Sequence, residues 1–223
     1  MPEARSVIEQ IGRSLQSVNK TLLQHPYLDA LAEGRIPAGK LTLFAGEQHI
    51  TIRSDLKSVA YLVSRSDDAR ARDFFLGVLQ GERQAADSLL SFASALGWGE
   101  SDLRGYDPMP GAQAYTCGMA WLALNGTPAE VAAAYLVNFP AWGESCGRMA
   151  RTLRERLGFR DQDVAFFDLF ASPQAGFEQA ALEVIQGALD RGAEERSIWR
   201  AASLLQGYEL MFWNTMYEAS VES

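Results

Sequence analysis

The chain has 223 residues, 48% of them hydrophobic, and a net charge of −8; that is enough apolar material for a well-filled core and excludes a disordered chain. With a pI of about 4.9 it lacks the basic footprint that phosphate backbones and anionic membranes select, so neither nucleic acid nor membrane is an expected partner. Two cysteines, Cys117 and Cys146, make no disulfide framework and point to a reducing cytoplasm, while two histidines, His25 and His49, are too few for a His-rich metal site but leave a carboxylate site open.

The first segment, "MPEARSVIEQIGRS", has no apolar run of the kind a secretory signal needs, and no stretch of 18 apolar residues follows anywhere. Helical periodicity runs nearly throughout, without a convincing alternating stretch. It predicts a first helix over 4–22 and a short helix in "HPYLDALAEG", closed by Gly34. Pro37 then opens a long helix over 38–64, with Leu41, Phe44, Gln48, Ile52, Val59 and Val63 on one face. The next helix covers 68–97. "GWGESDLRGYDPMPG" reads as a loop, followed by helices over 111–125 and 128–157. The second of these opens on "TPAE", with Thr at the N-cap, Pro at the first helical position and Glu at the third. A short helix and a turn fit "GFRDQDVAFFDLFASPQ", and two last helices cover 173–191 and 194–218. With no linker, repeat or low-complexity segment, residues 1–223 read as one all-α domain.

In an all-helical fold, sites are built from polar side chains that face inward on apolar stripes. Glu209 is the leading candidate, because it lies on the stripe Ile198, Ala202, Leu205, Phe212, Trp213, Met216. Burial there raises a carboxyl pKa toward the range of a general acid or base; a structural Glu paired with a buried Arg or Tyr fits the same pattern. Glu82 falls on its own stripe, as a pocket group or a rim salt bridge. Gln48 faces inward with Glu47 and His49 on either side, and a histidine so placed also suits a structural role. Tyr115 shares a face with Met119 and Leu122, and its hydroxyl needs a partner. Cys117 reads as a small core residue, and Arg148, Arg151, Arg154 and Arg156 as a solvated face.

"NFPAWGES", residues 138–145, places Pro140 inside the 128–157 helix. Proline in a helix interior costs about 3 kcal/mol and leaves the carbonyl four residues earlier, that of Leu136, without its donor. A kink there would offer that carbonyl to a ligand or to Asn138.

Several stretches together resemble the TenA (thiaminase II) family and its relatives, pyrroloquinoline-quinone synthase (PqqC) and the haem-oxygenase-like oxidases. They are "HPYLDALAEGRIPAGKLTLFAGEQH", "LLSFASALG", "AYTCGMAWLALNGTPAEVAAAYL", "FFDLFASPQ" and "YELMFWNTMY", in order from about residue 20 to 218. The resemblance implies a haem-oxygenase-like helical bundle with a buried central pocket, assembled as a homodimer or homotetramer. Glu209 matches the family's catalytic glutamate and Tyr115 a pocket tyrosine. Gln48 stands where TenA has its pocket aspartate, and His49 where a tyrosine follows. Trp142 matches the tryptophan of a Pro-Cys-aromatic-Trp stretch, but Pro140 occupies the position of the nucleophilic cysteine. Cys146 lies too far round the helix to replace it. The oxidases' His-x3-Asp-x2-His iron ligands correspond to Phe170, Gln174 and Phe177, so neither metal nor cofactor is expected.

The resemblance therefore implies an enzyme acting on a heterocyclic or amine-bearing, thiamin- or aminopyrimidine-like metabolite. Glu209 would be its acid/base and Glu144, one turn after Pro140, its assistant in a C–N hydrolysis that needs no covalent intermediate. Asn138, Trp142, Phe170 and Trp213 would complete the pocket with Gln48, Tyr115, Glu47, His49 and Glu82. A PqqC-like cofactorless oxidase and a small-molecule binding protein without catalysis are the alternatives.

Overall fold

A computed structural model describes residues 2–172 and 175–221. Eleven α-helices are formed among these residues: α1 Pro2–Ser14, α2 Gln16–Leu23, α3 Pro26–Ala32, α4 Leu41–Arg65, α5 Ala69–Ala95, α6 Glu100–Arg104, α7 Ala114–Asn125, α8 Pro128–Leu157, α9 Ala165–Ala171, α10 Phe177–Leu189 and α11 Glu195–Val221. No strand occurs among the described residues. The expected first helix is divided at Leu15, and the loop after Gly97 contains α6, whose Asp102 carboxylate accepts the Gly99 N–H at 2.8 Å. None of these helices is long and apolar enough to cross a membrane.

The local signals act as capping chemistry predicts. His25 caps α3 through Nδ1, which accepts the Tyr27 N–H, while its Nε2 lies 3.0 Å from Asn214 Oδ1 on α11. Because Nδ1 accepts, Nε2 carries the proton and donates to Asn214. Thr127 and Glu130 form a reciprocal capping box at the start of α8, and Gly158, at φ 71°, ends it in the left-handed conformation. The helix runs unbroken through Pro140, which is exposed.

Four long helices, α4, α5, α8 and α11, each contribute to two hydrophobic clusters. The first cluster takes Val59 and Leu62 of α4, Phe75 and Val78 of α5, Ala133 of α8 and Leu205 of α11. The second takes Phe44 and Ile52 of α4, Leu89 and Phe92 of α5, Met149 of α8 and Phe212 and Trp213 of α11. Each helix carries polar residues where it passes from one cluster to the other: Asp55 on α4, Glu82 on α5, Asn138 on α8, and Gln206 and Glu209 on α11. All five are at most 7% exposed. A polar layer therefore crosses the interior between the two apolar clusters, where each unpaired polar group is costly.

The basic side chains of α8 are more than a solvated face. Arg148 donates to the Leu23 carbonyl and the Asp29 carboxylate, and Arg154 spans Asp161 and Asp168. They tie α8 to the α3 region and to α9.

Candidate active site

The polar layer opens into a cavity enclosing about 40 Å³. Gln48, Thr51, Ile52 and Asp55 form its α4 wall, Glu82 comes from α5, and Tyr115 from α7. Asn138, Phe139 and Trp142 come from α8, Phe170 from α9, and Glu209 and Phe212 from α11. A volume of this size admits water-sized groups, so a larger ligand requires lining side chains to move. The aromatic walls are continuous with the second cluster. The Trp142 ring lies 5.6 Å from Trp213 and 5.9 Å from Phe170, and stacks within 4° of parallel on Phe44 at 6.2 Å. Gly143 allows α9 to approach, because a Cβ there would stand 2.6 Å from the Phe170 carbonyl oxygen.

Glu209 is 2% exposed and both its oxygens are held. Oε1 accepts the Trp213 indole N–H at 3.1 Å, and Oε2 accepts from the Asn138 amide. The same Asn138 nitrogen donates to Gln206 Oε1 at 2.7 Å, and Gln206 in turn donates to Asn19 at 2.6 Å. A chain of side-chain amides thus runs from α2 through α11 and α8 to the carboxylate. Burial pushes the Glu209 pKa up to about 7, while the Trp213 and Asn138 donors pull the other way. A carboxyl poised there can either give or take a proton near neutrality.

Two further carboxyls share the cavity. Burial lifts Glu82 to about 7, and lifts Asp55 well above the usual range, with the Glu82 charge raising it further. Desolvation, then Asp55, Glu82 and Glu209, push the Tyr115 hydroxyl well up, so it stays protonated as a donor. No thiol lines the space. Cys146 is fully buried, with its pKa raised by desolvation and then by Glu209, and Cys117 is exposed rather than a core residue.

Several sequence-based expectations need correction. Glu144 is exposed and stays out of the cavity, because it follows Pro140 by one turn and Pro140 itself faces outward. Asn138 does not serve the Leu136 carbonyl, since its amide hydrogens go to Gln206 and Glu209. Glu47 is fully buried but turned toward the 105–113 loop, accepting Tyr106 Oη at 2.8 Å, the Met109 N–H at 2.7 Å and the Gln113 amide. Tyr106 packs on Gly46 so closely that a Cβ would stand 2.5 Å from its ring. Glu47→Ala should therefore cost about 2–3 kcal/mol in chemical denaturation, as buried donors lose their acceptor; a loss under about 0.5 kcal/mol, the range of a neutral surface change, would show that the loop is held otherwise. His49 is half-buried outside the cavity, its pKa lowered by burial and then by Arg53 and Arg104. Trp213 is wholly buried behind the cavity, where it donates to Glu209 and packs against the lining residues Trp142 and Phe212.

Gln48, Tyr115, Glu82, Asn138, Trp142, Phe170 and Glu209 do meet at the cavity. Asp55, Thr51 and Gln206 are additions. Asp55 continues the stripe of Gln48 and Ile52 at helical spacing, a signal the sequence carries openly.

The donor set does not fit the iron centre of the oxidases. Phe170 is a cavity wall, Phe177 packs 5.3 Å from Phe74, and Gln174 lies outside the described residues. Among the described residues no group of three or more His, Cys, Asp and Glu side chains is arranged to hold a metal ion.

The sequence profile of the TENA/THI-4/PQQC family matches residues 13–219. Two curated relatives are similar: the 4-aminobenzoate synthase of Chlamydia trachomatis serovar D, 28% identical over 170 residues, covering 72% of this chain and 71% of that one, and that of Chlamydia muridarum, 28% identical over 133 residues. The second match covers 57% of this chain and 56% of the C. muridarum protein, so the chain spans little more than half of that relative. Among solved structures, a TenA homologue from Pseudomonas syringae pv. tomato superposes with a TM-score of 0.82 at 13% identity, covering 94% of this chain and 92% of that one. A domain with a heme oxygenase-like fold from Shewanella denitrificans superposes at 0.76 and 12% identity, covering 94% and 91%. The fold is the haem-oxygenase-like helical bundle.

Proposed function

Because this chain belongs to the TENA/THI-4/PQQC family, we propose that it is a small-molecule enzyme in which Glu209 transfers the proton. The observation that carries this reading is a single group, a carboxyl buried against the cavity, raised to about 7 and gripped on both oxygens. Gripping fixes the direction in which it can give or take a proton, and burial sets its pKa near the working pH. Thiol chemistry has no support, since Pro140 replaces the expected nucleophile and faces outward.

The substrate class we assign is an aromatic or heterocyclic amine. Phe139, Trp142, Phe170 and Phe212 offer apolar faces, and Asp55 and Glu82 offer acceptors on the same space. The two chlamydial relatives are named for synthesis of 4-aminobenzoate, itself an aromatic amine, which supports the class without fixing the reaction. Hydrolysis of a C–N bond is the step that a proton-transferring carboxyl and a cavity water can perform without a covalent intermediate. Protonation of the leaving nitrogen and deprotonation of the water would both fall to Glu209 in turn.

Asn138 acts through Glu209 and is a positioning residue. Its N–H lowers the Glu209 pKa, so Asn138→Ala should move the Glu209 limb of the pH–rate profile to higher pH, along with a fall in kcat. A lowered kcat with the limb unmoved would show that Asn138 supports only the packing.

A further inference from the structure

Asp55 is not explained by proton transfer at Glu209. It is 3% exposed, it lines the cavity, and its Oδ1 has no hydrogen-bond donor among the described residues. The Tyr135 hydroxyl, wholly buried and within reach of the Asp55 charge, has no partner either. Native interiors rarely leave such groups unpaired. Asp55 also faces Glu82, a second buried carboxyl on the neighbouring helix.

No basic side chain compensates them. None of the ion pairs among the described residues reaches Asp55, Glu82 or Glu209, and the cavity lining contains neither Lys nor Arg. A purely structural pair would be expected to carry a salt bridge or a full set of donors. Instead both carboxyls line the same cavity as the aromatic side chains Phe139, Trp142, Phe170 and Phe212.

We infer that the α4–α5 wall of the cavity is a subsite for a cationic nitrogen, a protonated amine or an amidinium, held by Asp55 and Glu82 beside the Tyr115 hydroxyl. A cation there supplies the missing donors to Asp55 and sets a positive charge between two carboxyls that otherwise repel. The aromatic rings of Trp142 and Phe139 flank the rest of the ligand. The subsite rests on the proposed function only in placing the ligand in this cavity; the α8–α11 wall keeps Glu209 for chemistry, and the α4–α5 wall selects charge. A neutral isostere of the same shape leaves both carboxyls unpaired and is rejected.

The test uses the intact protein and three matched probe pairs: methylamine and methanol, propylamine and 1-propanol, benzylamine and benzyl alcohol. Binding is followed by calorimetry and by thermal shift. At least one amine should bind at least about tenfold more tightly than its alcohol, the range of a charge-assisted hydrogen bond. Asp55→Asn and Glu82→Gln should each remove that preference, while Glu209→Gln keeps it. Circular dichroism checks that each variant is folded, and either carboxyl variant alone suffices for the test. Equal binding of amines and alcohols, no binding of any amine, or a preference that survives in either folded variant, Asp55→Asn or Glu82→Gln, would overturn the subsite. Loss of amine preference in Asp55→Asn together with full turnover in Glu209→Gln would instead leave the subsite standing and remove Glu209 from the chemistry.

Discussion

Glu209→Gln should lower kcat by about 10²–10⁴-fold, the contribution of a positioned general acid or base, while leaving the fold and ligand affinity nearly intact. The amide keeps the shape of the carboxyl and can still accept the Trp213 N–H, but it cannot exchange a proton near neutral pH. It also removes one of three buried acids from the cavity, which at pH 8 offsets the donor that its NH2 turns toward the Asn138 amide. A fall in affinity with kcat unchanged would assign Glu209 to binding instead.

The stability of the ligand-free protein should fall as the pH rises from about 4.5 toward 8. Glu209 and Glu82 titrate near 4.5 in the unfolded chain and near 7 in the folded one, and Asp55 is also raised. Between those values the native state holds more protons than the unfolded state, so raising the pH favours unfolding. Below the unfolded value the penalty is absent; above the folded value it is complete, at about 3 kcal/mol for Glu209 alone. The groups facing these carboxyls, Tyr115, Tyr135 and Cys146, are themselves held protonated and do not titrate in this window. His25 and His49, both lowered by burial, oppose the trend below about 6.5, and Asp163, held down to about 2 by Arg160, acts only in stronger acid. Asp55→Asn should flatten the curve and raise Tm at pH 8 by roughly 3–10 °C. A Tm that climbs steadily from pH 5 to 8, or an Asp55→Asn variant less stable than the parent at pH 8, would contradict this.

The two predictions share one cause, a site that holds acids where the fold would be better served by apolar residues. Stability given up in the ligand-free state is a usual mark of a functional cavity. The cavity buries the three carboxyls with no Lys or Arg in its lining, which sets both the proton affinity of Glu209 and the charge preference of Asp55 and Glu82.

Much of this was readable in the sequence, for reasons particular residues make plain. The start of α8 follows from Thr127, Pro128 and Glu130, because each meets a local backbone need that does not depend on tertiary contacts. Glu209 announced itself as a lone acid on an apolar stripe. Asp55 did so equally, seven residues after Gln48 on the same face, but its meaning depends on Glu82 of the next helix, which no spacing within α4 reveals. Glu144 failed because helical spacing from Pro140 gives the angle between two residues and not which way the pair points. Glu47 failed because a buried carboxylate next to a pocket residue can equally serve a loop, and the loop's donors, Tyr106 and Met109, lie some sixty residues on. Asn138 was placed at the site for the wrong reason: it orients Glu209 rather than using a carbonyl released by proline.

Whether Glu209 performs chemistry on an amine-bearing small molecule in this cavity is read by incubating purified parent protein and Glu209→Gln with a metabolite extract and following every mass before and after. At least one aromatic or heterocyclic amine should be consumed, and its product formed, by the parent and not by the variant. Consumption at the same rate by both proteins, or a bound metabolite returned unchanged by both with nothing consumed, would contradict it.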